Sequence, residues 1–307
     1  MTVTGGSGAA PGAAVDSNFV KAMPWVFVLI WSTGFIVARY GMPHAPPMKF
    51  LALRYAFSIA CFLPLVYFAK VAWPSGRGQV RHLAVVGILL HACYLGGVWA
   101  AIKVGMGSGL SALIVGLQPV LTAVWLSATA SAISKRQWSG LALGLAGLVL
   151  VVSRKFGSGG EVTLQNLAFA VFALLGITIG TLYQKRFVLP CDVRSANVVQ
   201  LAAAFVVTLP LALLEHEPVH FTAELAGAMA WSVLALTLGG SSLMYLLIQR
   251  GAAATVTSWF YLVPPMTALL AWILFAEPIT ALTVLGTVIC VLGVSLVVRP
   301  AHTGSES

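Results

Sequence analysis

The 307-residue sequence predicts an all-α integral membrane protein, with ten transmembrane helices arranged as two inverted five-helix repeats. Three observations carry this reading. The chain is 59% hydrophobic and only 8% charged, with a mean hydropathy of +0.96, whereas a water-soluble domain has about 25% charged residues. Between Met23 and Val298 it divides into ten apolar stretches, each able to cross a hydrocarbon core of about 30 Å as a helix. A single shift of 146 residues, the one that carries Pro119 onto Pro265, lays the second half on the first.

Residues 1–20, rich in Gly, Ala and Ser, read as a disordered N-terminal tail. They lack the charged start of a signal peptide, and the first apolar run continues past Ile30 to Val37, so the first helix is expected to be retained. The spans fall at 23–42, 48–69, 82–102, 108–131 and 137–153, and then at 165–184, 195–214, 226–249, 252–275 and 280–298. The first repeat thus covers 21–154 and the second 165–299, with a C-terminal tail at 300–307. Separators carry turn chemistry, as in Pro43, Pro46 and Pro47, the stretch Pro74 to Gly78, and Glu215, Glu217 and Pro218.

The repeat rests on Gly and Pro, because apolar residues agree easily by chance. One shift pairs Gly34 with Gly180, Pro64 with Pro210, Gly105 with Gly251, Gly140 with Gly286 and Gly147 with Gly293. Five spans per half is an odd number, so the second half enters the membrane upside down relative to the first. Inverted repeats let a transporter rock about a substrate site near the midplane.

Lys and Arg set the orientation. With the N-terminus inside, eleven fall on the cytoplasmic side and six, Arg39, Lys49, Arg54, Lys103, Arg154 and Lys155, on the other, which predicts both termini in the cytoplasm. The net charge of +9 comes from residues scattered singly or in pairs, without the basic cluster that nucleic acid requires. Cys61, Cys93, Cys191 and Cys290 have neither disulfide-framework nor metal-ligand spacing. No cofactor or metal is expected.

Trp31-Ser32-Thr33-Gly34, Leu53-Arg54-Tyr55, Leu117-Gln118-Pro119, Val263-Pro264-Pro265 and the run Phe275 to Thr280, duplicated and spaced in this way, resemble the EamA branch of the drug/metabolite transporter superfamily. The resemblance covers nearly all of the chain after the tail. It implies a central cavity lined by spans one, three, four, six, eight and nine, and export or exchange of small metabolites, amino acids among them, across the inner membrane. The first repeat has Ser131 where the second has Glu277, so Glu277 is expected to cap or brace one side only.

All eight carboxylates fall in tails, loops or helix ends. None is available at depth as a proton carrier, or as a counter-ion for a cationic substrate. His91 is the one titratable group expected near the middle of a span, as a coupling or substrate-binding group or else as a neutral imidazole satisfied by a neighbouring carbonyl. Arg54 and Arg39 could each attract an anionic group, but read first as anchors that snorkel to the interface while bracing the first loop. Trp31, Tyr94, Tyr183, Tyr245, Trp259 and Tyr261 could present rings to a solute, with Thr33 and Gln118 for its polar end; each taken singly is equally a packing residue. Pro119 and Pro265 free backbone carbonyls about one turn earlier and read as hinges or fixed kinks.

The leading function is therefore secondary export or exchange of a small molecule by alternating access, with the lipid bilayer as surroundings and a monomer or homodimer as the unit. Uptake or sugar-phosphate-type anion exchange is the alternative, set behind because Arg54 would be the main phosphate ligand. An intramembrane enzyme would need a catalytic constellation that His91 does not have. A channel would conduct without saturating or exchanging solute.

Overall fold

A computed structural model describes residues 17–130, 135–155, 161–249 and 262–298, which form eleven helices and no strand. The first half supplies α1 (Ser17–Gly41), α2 (Pro47–Phe68), α3 (Arg77–Lys103), α4 (Ser108–Val115), α5 (Gln118–Ala130) and α6 (Lys135–Lys155). The second half supplies α7 (Leu164–Phe187), α8 (Val193–Leu214), α9 (Ala223–Trp231, Ser232–Ser241 and Ser242–Gln249 in succession), α10 (Val263–Phe275) and α11 (Ala281–Val298). Five of these, α2, α3, α7, α8 and α9, are long and apolar enough to cross a membrane, and shorter apolar helices accompany them.

Local chemistry starts the helices where the chain needs them. Thr163 and Asn166 form a reciprocal capping box at α7, Asp192 accepts from the Arg194 amide at α8, and Thr222 accepts from the Leu225 amide at α9. Pro47 occupies the first turn of α2, where its missing N–H removes no helical bond.

Two features depart from a plain run of α-helices. The fourth span, expected as one helix over 108–131, is broken at Gly116 and Leu117 into α4 and α5. Pro119 has no N–H for the Val115 carbonyl, and α5 restarts with Val120 and Leu121 both bonding the Leu117 carbonyl. Pro264 and Pro265 likewise stand at the start of α10. The two breaks meet: a Cβ on Gly116 would lie 2.6 Å from the Pro264 ring. In addition, α3 and α9 widen in mid-course into π-helix, over Ile88–Leu95 and Ser232–Ser241.

Glycines bring helices into backbone contact. On α6 and α11, Gly140 and Gly144 face Gly293, Gly144 faces Cys290, and Gly147 faces Gly286 and Cys290. As residue numbers rise along one helix they fall along the other, so the two run antiparallel. Gly97 on α3 presses on the Phe169 carbonyl of α7, and Gly176 on the Tyr94 amide. The core fills the centre of the bundle, while Trp125, Val149, Val206, Ile273 and Leu292 are exposed on the periphery. In hydrocarbon those side chains are at no disadvantage.

Candidate functional site

A cavity of about 70 Å³ lies where α1, α2, α3, α7, α8 and α9 converge. Its polar wall is built by the two π-helical turns and the helices facing them. A π-helix holds an extra residue in the turn and re-aims the side chains that follow, a device often found at functional sites. His91 projects from the wide turn of α3 and Thr237 belongs to that of α9. Arg54 on α2 donates from Nε to the Thr237 hydroxyl at 3.1 Å. On α8, the Gln200 side chain approaches the His91 ring, and its Nε2 is left without a partner among the described residues. The shift that carries Pro119 onto Pro265 also carries Arg54 onto Gln200 and His91 onto Thr237, so these are two copies of one contact, each reaching from one half to the other.

Around this pair the wall is aromatic and apolar. Trp31 hydrogen-bonds the Tyr94 hydroxyl, and Trp99, Leu236 and Met244 close the space. Tyr245 lines it too, its hydroxyl 3.1 Å from Cys191 Sγ. Arg54 is 4% exposed and brings a full positive charge to the wall. Its only hydrogen-bond partner among the described residues is Thr237, leaving the Nη groups of the guanidinium without a protein acceptor there. No carboxylate among the described residues lines the cavity.

Of the residues singled out in the sequence, His91, Tyr94, Trp31 and Tyr245 stand together here. Thr33 does not: its hydroxyl donates to the Ile30 carbonyl at 2.6 Å and accepts from Trp231 Nε1 at 2.9 Å, away from the cavity. Tyr183 bonds His82 Nδ1 at 2.8 Å and packs on Phe187. Gln118 is buried near the α4–α5 break and donates to Thr122 at 3.4 Å. Trp259 and Tyr261 lie outside the described residues. Arg54 corrects the expectation of a snorkelling anchor, because a buried hydroxyl and a polar cavity hold it in the interior instead. Gln200 and Thr237 were missed, although the repeat register points to both from Arg54 and His91.

The EamA-like transporter profile matches this chain twice, over residues 22–153 and 165–299. The chain belongs to the EamA-like transporter family. Similar proteins include the "uncharacterized inner membrane transporter YedA" of Escherichia coli (strain K12), 27% identical over 275 residues, which are 88% of this chain and 87% of YedA. A "probable amino-acid metabolite efflux pump" of Salmonella typhimurium is 23% identical over 277 residues, 87% of this chain and 90% of the pump. A solved crystal structure superposes with a TM-score of 0.62 at 16% identity, over 91% of this chain and 96% of its own, a likeness of fold. The family is one of membrane transporters, not of enzymes.

At one end of this EamA-like transporter the loops are tied together by carboxylates. Glu215 accepts from the Met48 and Lys49 amides at 2.9 and 2.8 Å, capping α2. Glu277 accepts from the Ser108 and Gly109 amides at 3.1 and 3.4 Å, and Glu161 from the Gly107 amide at 2.6 Å, so both sit at the start of α4. The left-handed conformation of Ala276 ends α10 and turns Glu277 towards α4. Lys103 pairs with Glu217 at 2.5 Å and His44 with Glu224 at 2.8 Å. Arg39 lies over the Phe275 ring, 5.9 Å from its centre. The opposite end is joined by Gln79 to the Leu189 carbonyl at 2.8 Å and by Ser195 to the Ala72 carbonyl at 3.0 Å. There the Arg194 side chain holds the Asp192 carboxyl below the usual carboxylate range.

Proposed function

We propose that this protein is a secondary transporter that exports or exchanges small metabolites across the inner membrane, by alternating access between two inverted halves. The observation that carries the proposal is the doubled contact in the cavity, in which Arg54 reaches Thr237 and Gln200 reaches His91. In both contacts a group of one half meets a group of the other, so a relative rotation of the halves must change the site itself. The antiparallel seam of α6 and α11 supports the inversion. The repeat register relates Gly140 to Gly286 and Gly147 to Gly293, and the contacts are crosswise, Gly140 with Gly293 and Gly147 with Gly286, as an axis lying across the helices would have it.

A space of about 70 Å³ holds a few waters, so a metabolite enters only when helices part. The α4–α5 break and the prolines opening α10 are suited to that movement, and Pro119 and Pro265 are its hinges. Both termini are placed in the cytoplasm, which puts the glutamate-rich end outside.

Counterflow in proteoliposomes tests the proposal, using labelled amino acids and related metabolites at two pH values, with His91→Ala beside the wild type. Saturable exchange of labelled for unlabelled solute is expected. Flux that neither saturates nor exchanges would refute alternating access. Impermeant thiol labelling of single cysteines placed at the two chain ends tests the topology; reaction of the two ends from opposite faces would refute the odd number of spans per half.

A further inference from the structure

We infer that the cavity is an anion site, taking organic monocarboxylates by their carboxylate and requiring no ammonium group. This rests on the cavity being the transport site and goes further by naming the class of solute. Three observations lead to it.

The first is Arg54. It is buried, it lines the cavity, and the bond it donates from Nε to Thr237 is the only hydrogen bond it makes with the described residues. Guanidinium carries five N–H donors in a planar fork that fits the two oxygens of a carboxylate. A buried cation without an anion is costly. The second is Gln200, 4% exposed, whose Nε2 finds no partner among the described residues. Its side chain approaches His91, and both Gln200 and Arg54 line the cavity. Each half therefore brings an unsatisfied donor to the cavity lining, and no carboxylate among the described residues lines it.

The third observation is the placement of the acids. The six described carboxylates, Glu161, Asp192, Glu215, Glu217, Glu224 and Glu277, lie at helix ends or in loops. Asp16 and Glu306 lie in the terminal segments of the sequence, and residues 250–261 contain no Asp or Glu. An ammonium entering the cavity meets Arg54 and no counter-charge. Trp31 and Tyr94 give a ring face for an apolar body, but a nearby guanidinium opposes a second cation there. The solute that completes this site has one carboxylate and an apolar remainder; an amino acid is accepted through its acid end alone.

The test uses full-length protein in detergent and three solutes that share a phenylethyl body: 3-phenylpropionate with the acid alone, phenylalanine with both groups, and phenethylamine with the amine alone. Binding is read from the melting temperature and from tryptophan fluorescence, since Trp31 and Trp99 line the cavity. The acid is expected to bind at least about tenfold more tightly than the amine, with phenylalanine no tighter than the acid. Gln200→Glu adds a carboxylate to the lining that offsets the Arg54 charge, and should remove the preference for the acid over the amine. Arg54→Gln should abolish the preference for the acid, while Arg54→Lys keeps part of it.

The wild-type series decides the matter even if a variant fails to fold. An amine that binds as tightly as the acid, phenylalanine about tenfold tighter than the acid, or no response to 3-phenylpropionate overturns the inference. Counterflow with the same labelled solutes separates the two claims. Acid binding without any exchange sinks the transport reading and leaves the anion site standing; exchange of the amine at the rate of the acid does the reverse.

Discussion

Replacing Gly293 by alanine probes the seam on which the two-halves architecture depends. A Cβ at that position would lie 2.5 Å from the Gly144 amide nitrogen and 2.6 Å from the Gly140 carbonyl oxygen, where ordinary contact begins at 3.4 Å. The obstructing atoms are backbone in the middle of α6, so no side chain can swing aside. The helices must part by about 1 Å, and overpacking of this kind costs about 1–3 kcal/mol. Alanine's better helix propensity returns at most about 1 kcal/mol, which leaves a net loss of up to about 2 kcal/mol. Gly227 is the control. A Cβ there meets nothing within 4 Å, so Gly227→Ala should be neutral or slightly stabilising. Thermal unfolding of detergent-solubilised variants measures both. Cys290 supplies a local reporter, since its buried thiol bonds the Gly144 carbonyl at 3.2 Å. With the other three cysteines replaced, Gly293→Ala should speed thiol labelling of Cys290 and Gly227→Ala should not. Equal melting and labelling of both variants would show that the seam is not formed by these glycines.

At the start of α4, Glu277→Ala removes an acceptor from two amides and should lower stability by about 0.5–2 kcal/mol; Glu277→Gln keeps acceptors, loses the charge, and should lose about 0.3–1 kcal/mol of that, both read from melting temperature. Asp192 is held ionised by Arg194, so the stability it adds is present above the ordinary aspartate value of about 4 and is lost as the pH falls through its lower folded value. Melting curves of Asp192→Asn should accordingly show a shallower loss of stability on acidification below that pH. In counterflow, Trp31→Ala and Tyr94→Ala should cut exchange strongly, whereas Thr33→Ala and Tyr183→Phe, whose partners lie outside the cavity, should leave it near the wild-type rate.

The helical membrane architecture was legible because composition and span length are one-dimensional properties, and the family followed from duplicated motifs. The site was legible only in part. His91, Tyr94, Trp31 and Tyr245 were recognisable as polar or aromatic residues in apolar runs, but Tyr183 and Thr33 satisfy the same description and face other partners. Helical periodicity could not separate them. It assumes an unbroken turn of 3.6 residues, and α3 and α9 abandon that turn over Ile88–Leu95 and Ser232–Ser241. Arg54 was misjudged for a different reason: distance from a helix end suggests snorkelling, and only the position of Thr237, 183 residues away in sequence, shows what holds the guanidinium inside. Gln200 was accessible in principle, since it stands at the repeat register of Arg54.

That register explains why the cavity is charged on one side only. A perfectly symmetric duplication would place two arginines at this depth, facing each other across a narrow space in a medium of low dielectric, where like charges repel strongly. Glutamine at position 200 keeps a polar side chain at the equivalent place without the charge, beside His91 as Arg54 is beside Thr237. The same reasoning covers Glu277 and Ser131. A carboxylate is retained where it caps α4 at the end of the bundle, next to water, and is absent at the equivalent place in the other half. Duplication supplies the paired scaffold, and departures from the repeat at Arg54 and Glu277 decide where charge stands in it.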